Sequence, residues 1–210
     1  MRMAAAGSGS DSSYGYFVGG SDGVIADRIT FSTGVTSANT VSNLSLARGK
    51  LAGLSDGSTY GYFAGGMTGS SGPPYNTVDR ITFSTGATAA HAALSQARYF
   101  LTGLSDGSTY GYFAGGSTGN VVATADRVTF STSAIAANAV SNLSAARYVL
   151  TGLSDGSTYG YFAGGVTGSS NIIVNTADRI TFSTGATAAN TVSNLSQARN
   201  FLAGLSDASV

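Results

Sequence analysis

The chain has no cysteine, no tryptophan and no glutamate, and only one histidine and two prolines among its 210 residues. Without cysteine there can be no disulfide framework and no thiolate metal site, and the redox compartment is left open. A single histidine excludes catalytic zinc centres that need two or three imidazoles, and His91 has no carboxylate close to it in sequence. Charge is equally scarce: ten Lys or Arg balance ten acids, all of them Asp. A nucleic-acid binder would show a basic stripe, and none is present. No apolar run approaches the length of a transmembrane span. The opening residues 1–9 (MRMAAAGSG) lack the apolar stretch of a signal peptide and read as a flexible leader. Neither cofactor nor metal is implied.

What is abundant is glycine, 30 residues, and repetition. The stretch SDGSTYGYFAGG at 105–116 recurs almost unchanged at 55–66 and 154–165. A worn copy, SDSSYGYFVGG, stands at 10–20, and a truncated one, SDASV, at 206–210. Asp-Gly between two apolar runs is a hairpin signal, because Gly takes positive φ without steric cost. The flanking Leu-x-Gly-Leu and Tyr-Gly-Tyr-Phe runs then read as a first and a second strand. Asp-Arg-Ile/Val-Thr-Phe follows at 27–31, 79–83, 126–130 and 178–182, and its β-branched and aromatic content favours a third strand. A weaker, small-residue run such as 187–194 reads as a fourth. Leu-Ser-x-Ala-Arg, ending at Arg48, Arg98, Arg147 and Arg199, returns the chain to the next unit. Each unit is expected to hold four strands and no helix.

The second strands begin at Tyr14, Tyr60, Tyr110 and Tyr159, steps of 46, 50 and 49 residues. A period near 50 built from four short strands points to a β-propeller, with residues 10–210 as one propeller domain. From the unit's Arg to the next Tyr the step is always 12, whereas the segment after Gly-Gly varies (21–26, 67–78, 117–125 and 166–177). A fixed framework carrying one class of variable loop is how a scaffold presents a binding surface. The candidate ligand-binding residues therefore lie in those loops: Met67, Pro73, Pro74, Tyr75 and Asn76, then Asn120, then Asn171, Ile172, Ile173 and Asn175. Pro73-Pro74-Tyr75 is expected to present a stiff aromatic knob.

The repeated Asp, Arg and aromatic residues read as structural, since an active site is rarely needed four times. The Arg fork can satisfy several carbonyls or carboxylates between strands, and Tyr-Gly-Tyr-Phe suits packing on both strand faces. The Asn-Leu-Ser triplets at Asn43, Asn142 and Asn194 are formal glycosylation acceptors that belong to the repeat.

The order Tyr-x-Phe-x-Gly-Gly, loop, Arg-Ile-Thr-Phe, spacer, Leu-Ser-x-Ala-Arg resembles the kelch repeat over essentially all of 10–210. Gly65-Gly66, Phe83 and Arg98 stand at that family's double glycine, third-strand aromatic and opening basic residue. The kelch tryptophan near the fourth strand is replaced by small Ala, Asn and Ser. The resemblance implies four-stranded antiparallel blades around an axis. The copper chemistry of galactose-oxidase-like kelch enzymes does not carry over to a chain with one His and no Cys.

The expected function is a non-enzymatic binding or structural module, with a glycan or a protein as partner. A polysaccharide-acting enzyme with its site at the channel mouth, and a purely structural array protein, are the alternatives. The low charge and the Ser, Thr, Gly and Ala content favour an extracellular or virion surface. The C-terminal strand at 201–205 is expected to close the ring by completing the blade begun at Tyr14. Small fourth-strand residues suit nearly parallel blades at roughly 10 Å spacing. That favours a homodimer forming one eight-bladed ring over a four-bladed monomer or a larger assembly.

Overall fold

The computed structural model describes residues 13–20, 23–168 and 170–206, so the leader at 1–9 lies outside the described residues. The chain is all-β. Its strands are β1 (Tyr14–Val18), β2 (Ala26–Thr30) and β3 (Val35–Ala38), then β4 (Ala52–Ser55), β5 (Tyr60–Ala64), β6 (Val78–Thr82) and β7 (Ala87–His91). These are followed by β8 (Thr102–Ser105), β9 (Tyr110–Ala114), β10 (Ala125–Thr129), β11 (Ala134–Ala137), β12 (Thr151–Ser154) and β13 (Tyr159–Ala163). The last four are β14 (Val166–Thr167), β15 (Ile172–Ile173), β16 (Ala177–Thr181) and β17 (Ala186–Ala189).

They form antiparallel sheets β1-β2-β3, β4-β5-β6-β7, β8-β9-β10-β11 and β12-β13-β16-β17, with β14-β15 as a small hairpin in the last variable loop. Three four-stranded sheets therefore match expectation, and the first sheet has three strands. Ring closure by the C-terminal strand is not found among the described residues. Residues 202–206 form no ladder with β1, whose edge has no partner among the described residues. They lie instead beside β12, where a Cβ on Gly204 would be 3.3 Å from the Gly152 carbonyl oxygen. The fourth strands are also shorter than expected. In the first, third and fourth units the chain leaves them in single 3-10 turns, Thr40–Ser42, Ala139–Ser141 and Thr191–Ser193. The second unit, two residues shorter there, has none and carries β7 on to His91.

The first-to-second-strand turn is built by its aspartate. Asp106 Oδ1 accepts the backbone N–H groups of Ser108, Thr109 and Tyr110 at 2.9, 2.7 and 2.9 Å, and Gly107 takes φ +74°. Asp56 and Asp155 do the same in their units.

Successive sheets pack through apolar faces. Tyr62, Val78, Leu101, Phe113 and Val128 form one core, and Leu104, Tyr112, Leu150, Phe162 and Ile180 form the next. The inner strands β4, β8 and β12 approach through glycine. A Cβ on Gly103 would lie 2.6 Å from the Gly53 carbonyl oxygen, and one on Gly152 3.1 Å from that of Gly103.

The repeated Arg forms the strongest link between units. Arg98 is fully buried and pairs with buried Asp126 on β10 at 2.5 Å, while its guanidinium also donates to the carbonyls of Gly115 and Phe113. Arg48 pairs with Asp79 at 2.8 Å, and Arg147 pairs with Asp178. Meanwhile the Arg98 carbonyl accepts the Gly66 N–H of the preceding sheet at 2.8 Å. One residue thus ties two sheets together. The neighbouring Arg127 leaves the opposite face of β10 and lies 4.5 Å over the Tyr110 ring.

Asp126→Ala leaves the Arg98 charge buried and alone, and is expected to cost about 3–5 kcal/mol in denaturant unfolding. Arg127→Ala loses a half-buried cation–π contact and no ion pair, about 0.5–1 kcal/mol. Equal costs would remove the Arg–Asp pair from its structural role.

Burial pushes the Tyr112 hydroxyl from its ordinary 10.0 up to about 12. The unfolded chain ionises first, so this contribution is intact below pH 10 and is lost as pH rises toward 12. Thermal midpoints should fall across that window, and Tyr112→Phe should flatten the fall.

Candidate functional site

Three of the four variable loops start at the same framework point. After the double glycine, the first residue of each forms a two-way backbone bridge with the residue following the unit's Arg: Met67 with Gly49, Ser117 with Tyr99, and Val166 with Tyr148. The far part of each loop is tied to the next unit's Arg, whose N–H donates to the carbonyl of Tyr75, Val122 or Val174. All three loops therefore sit on one face, over the buried Arg residues.

On that face the residue two after the Arg is left-handed in every unit, although none is glycine: Lys50, Phe100, Val149 and Phe201 have φ of 58°, 54°, 49° and 51°. Such non-glycine strain clusters where structure is held for function. These four form a ladder across the sheets. Phe100 N–H donates to the Lys50 carbonyl at 2.9 Å, Val149 to Phe100 at 3.0 Å, and Phe201 to Val149 at 3.1 Å. Beside the ladder is a shallow cavity of 270 Å³, floored by leucines such as Leu101 and Leu150.

An aromatic strip stands along the ladder. Phe100 contacts Tyr99, Tyr148 and Phe201 at ring separations of 5.3, 6.1 and 5.5 Å. Lys50 Nζ lies 5.4 Å from the Phe100 ring and 5.9 Å from the Tyr99 ring, and donates to the Gly69 carbonyl at 2.9 Å. Tyr148 O–H donates to Asn171 Oδ1 at 3.0 Å. The strip thus offers apolar ring faces edged by a cation, phenol hydroxyls and an amide.

The residues expected from sequence divide between this face and the framework. Asn171 belongs to the strip through Tyr148, and Ile172 and Ile173 are exposed on β15 next to it. Asn76 and Asn120 are exposed. Met67 is corrected: it is 4% exposed, its sulfur accepts from Lys50 Nζ, and it supports the face from below. Pro73-Pro74-Tyr75 is no projecting knob. Pro74 bridges Met67, Tyr75 N–H donates to the Gly66 carbonyl, and its hydroxyl accepts from Thr68 at 3.2 Å, leaving Tyr75 half-buried. Asn175 is also framework, its Nδ2 donating to the Leu195 carbonyl at 3.1 Å.

Lys50, Tyr99, Phe100, Tyr148 and Phe201 were missed by the sequence reading. A signal existed: Gly49-Lys50, Tyr99-Phe100, Tyr148-Val149 and Asn200-Phe201 are a variable dipeptide between invariant Arg and Leu. His91 lies elsewhere, its Nε2 2.7 Å from the Ser133 carbonyl of the neighbouring sheet. The Asn-Leu-Ser asparagines are structural as well. Asn43, Asn142 and Asn194 each accept a third-strand N–H, from Ala26, Ala125 and Ala177.

No known protein family and no curated protein matches this chain. Among solved structures, that of YjhT is similar with a TM-score of 0.71 over 90% of this chain, at 12% identity. This chain spans 64% of YjhT's length. At that identity the likeness concerns the fold.

If the left-handed ladder is strained, Lys50→Gly should be more stable than Lys50→Ala by about 1 kcal/mol, because only glycine takes this φ freely. Equal thermal midpoints would show that position 50 carries no such strain.

Proposed function

We propose that the four sheets are kelch-like blades of a β-propeller and that the chain is a non-enzymatic glycan-binding module whose binding face is the aromatic strip with the loops around it. The observation that carries this reading is variation placed on constancy. The backbone ladder at Lys50, Phe100, Val149 and Phe201 repeats within ten degrees of φ, while its side chains differ from unit to unit, with Val149 buried and Lys50, Phe100 and Phe201 reaching the surface. Framework acids are consumed in structural roles: Asp79, Asp126 and Asp178 by buried Arg residues, and Asp56, Asp106 and Asp155 by turn N–H groups. What the face offers is contact area and hydrogen bonding. Tyr and Phe rings suit the C–H faces of sugars, and the Tyr148 hydroxyl, Asn171 amide and Lys50 ammonium suit their hydroxyls. The likeness to YjhT supports a recurring sheet arrangement. The surface or virion setting suggested by composition accords with such a module.

A glycan array probed with the folded chain is expected to give saccharide hits that Tyr148→Ala weakens at least about tenfold, the loss of one central aromatic contact, with an unchanged melting curve. No binding across a broad array, or hits indifferent to Tyr148→Ala, would overturn the assignment of this face.

A further inference from the structure

The two ends of the sheet stack are complementary to each other, component by component. Four contacts recur at the internal junctions, the Arg–Asp pair at all three and the other three where the inner strands β4, β8 and β12 follow one another. An Arg from one unit pairs with the next third-strand Asp: Arg48–Asp79, Arg98–Asp126 and Arg147–Asp178. An inner-strand glycine rests on the preceding inner-strand glycine carbonyl, as Gly103 does on Gly53 and Gly152 on Gly103. An inner-strand leucine covers the glycine of the next second strand. A Cβ on Gly111 would lie 2.7 Å from Leu54, and one on Gly160 would lie 2.9 Å from Leu104. An inner-strand serine hydroxyl donates to the preceding serine carbonyl, Ser105 to Ser55 at 2.8 Å and Ser154 to Ser105 at 2.7 Å.

At the tail the donors of these contacts are in place and unused. Arg199 is exposed and, among the described residues, has no ion-pair partner. Leu205 is 91% exposed. Residues 202–206, Leu-Ala-Gly-Leu-Ser, are identical in sequence to 51–55, which contain β4. Gly204 already rests on the Gly152 carbonyl, so the segment is positioned as a next inner strand, and among the described residues it pairs with no sheet.

At the head the matching acceptors are empty. Among the described residues β1 has no inner neighbour and Asp27 on β2 has no Arg. Among the described residues the nearest neighbours of a Cβ on Gly53 are Phe63 and the Tyr62 carbonyl rather than a glycine carbonyl, and those of one on Gly61 are Ile81 and Phe83 rather than an inner-strand leucine. Where that strand would run is a groove of 740 Å³, lined by Tyr14, Gly15, Gly53, Leu54, Gly61 and Phe63 among others. The residues just ahead of Ser10-Asp11 are Ala5-Ala6-Gly7-Ser8-Gly9 and supply no leucine.

We infer that this groove is the docking site for residues 202–206 of a second copy of the chain, and that two chains exchange these strands head to tail in one two-fold ring of eight sheets. The β4–β5 register, Ala52 opposite Ala64 and Leu54 opposite Tyr62, transfers directly. Ala203 then lies opposite Val18 of the other chain, Leu205 covers its Gly61, and Arg199 meets its Asp27. The exchange gives the open β1 edge a partner, and an open apolar edge is otherwise a template for uncontrolled pairing. Closed point symmetry accommodates two identical junctions, one at each chain boundary. The pairing does not depend on the loop face binding any ligand.

The absence of native cysteine makes the junction directly testable. Light scattering on the 210-residue chain is expected to give twice the 20.9 kDa chain mass, falling to the single-chain mass in Leu205→Asp with an unchanged circular dichroism spectrum. Val18→Cys and Ala203→Cys chains, mixed before oxidation, should give a disulfide-linked pair in much higher yield than either variant alone, since opposed strand residues are within disulfide reach. A single-chain mass for the unaltered protein, a mass of three chains or more, a mass indifferent to Leu205→Asp, or no excess cross-linking in the mixture would each overturn the inference. So would a Val18→Cys/Ala203→Cys double variant that cross-links within one chain, because the tail would then close on its own head.

Discussion

The rest of the structure depends on the burial of one Arg–Asp pair at each junction between units. A guanidinium and a carboxylate removed from water cost several kcal/mol each unless their geometry is satisfied on all sides. Here Arg98 meets a carboxylate at 2.5 Å and the backbone carbonyls of Phe113, Gly115 and Thr124, while its own carbonyl and N–H bind the unit before it. No sheet can shift against its neighbour without stranding a charge. That constraint fixes the start of three variable loops, because the bridge from Met67, Ser117 or Val166 lands on the residue beside the Arg.

A loop face built on such a base can vary without loss of fold. The positions that differ between units, Lys50, Phe100, Val149 and Phe201, hang from a ladder of backbone hydrogen bonds that needs no particular side chain. The strain of four left-handed non-glycine residues is borne by the same ladder. Constancy below and variety above are the physical basis for the proposal that this face is a recognition surface. The same modularity is seen at the ends: residues 202–206 repeat the sequence of 51–55, while among the described residues β1 has no inner neighbour.

Much of the fold was legible because each unit repeats its own evidence. Asp-Gly marked the first turn, and its aspartate does cap it. Tyr-Gly-Tyr-Phe and Asp-Arg-Ile-Thr-Phe gave strands because alternation and β-branching act locally. The fourth strand was read too long, since Asn-Thr-Val-Ser has no local feature that separates a strand end from a 3-10 turn. In the site, exposure was inferred for whole loops. Met67 and Tyr75 went wrong because their burial is set by Gly49, Gly66 and Arg98, residues far away or of unremarkable type.

By itself the sequence determined the unit: its period, its turns, the order of its strands, and which segments are free to vary. These follow from short-range chemistry, glycine φ, side-chain alternation and Asp-to-backbone hydrogen bonds, that acts within a few residues. Only the tertiary structure decided which charges pair across units, which loop residues face solvent, and that Lys50, Phe100, Tyr148 and Phe201 form one surface. It also decided that residues 202–206 lie beside β12 and, among the described residues, leave β1 without an inner neighbour. Those outcomes depend on how successive sheets stack, and stacking brings together residues some 50 positions apart that no local pattern relates.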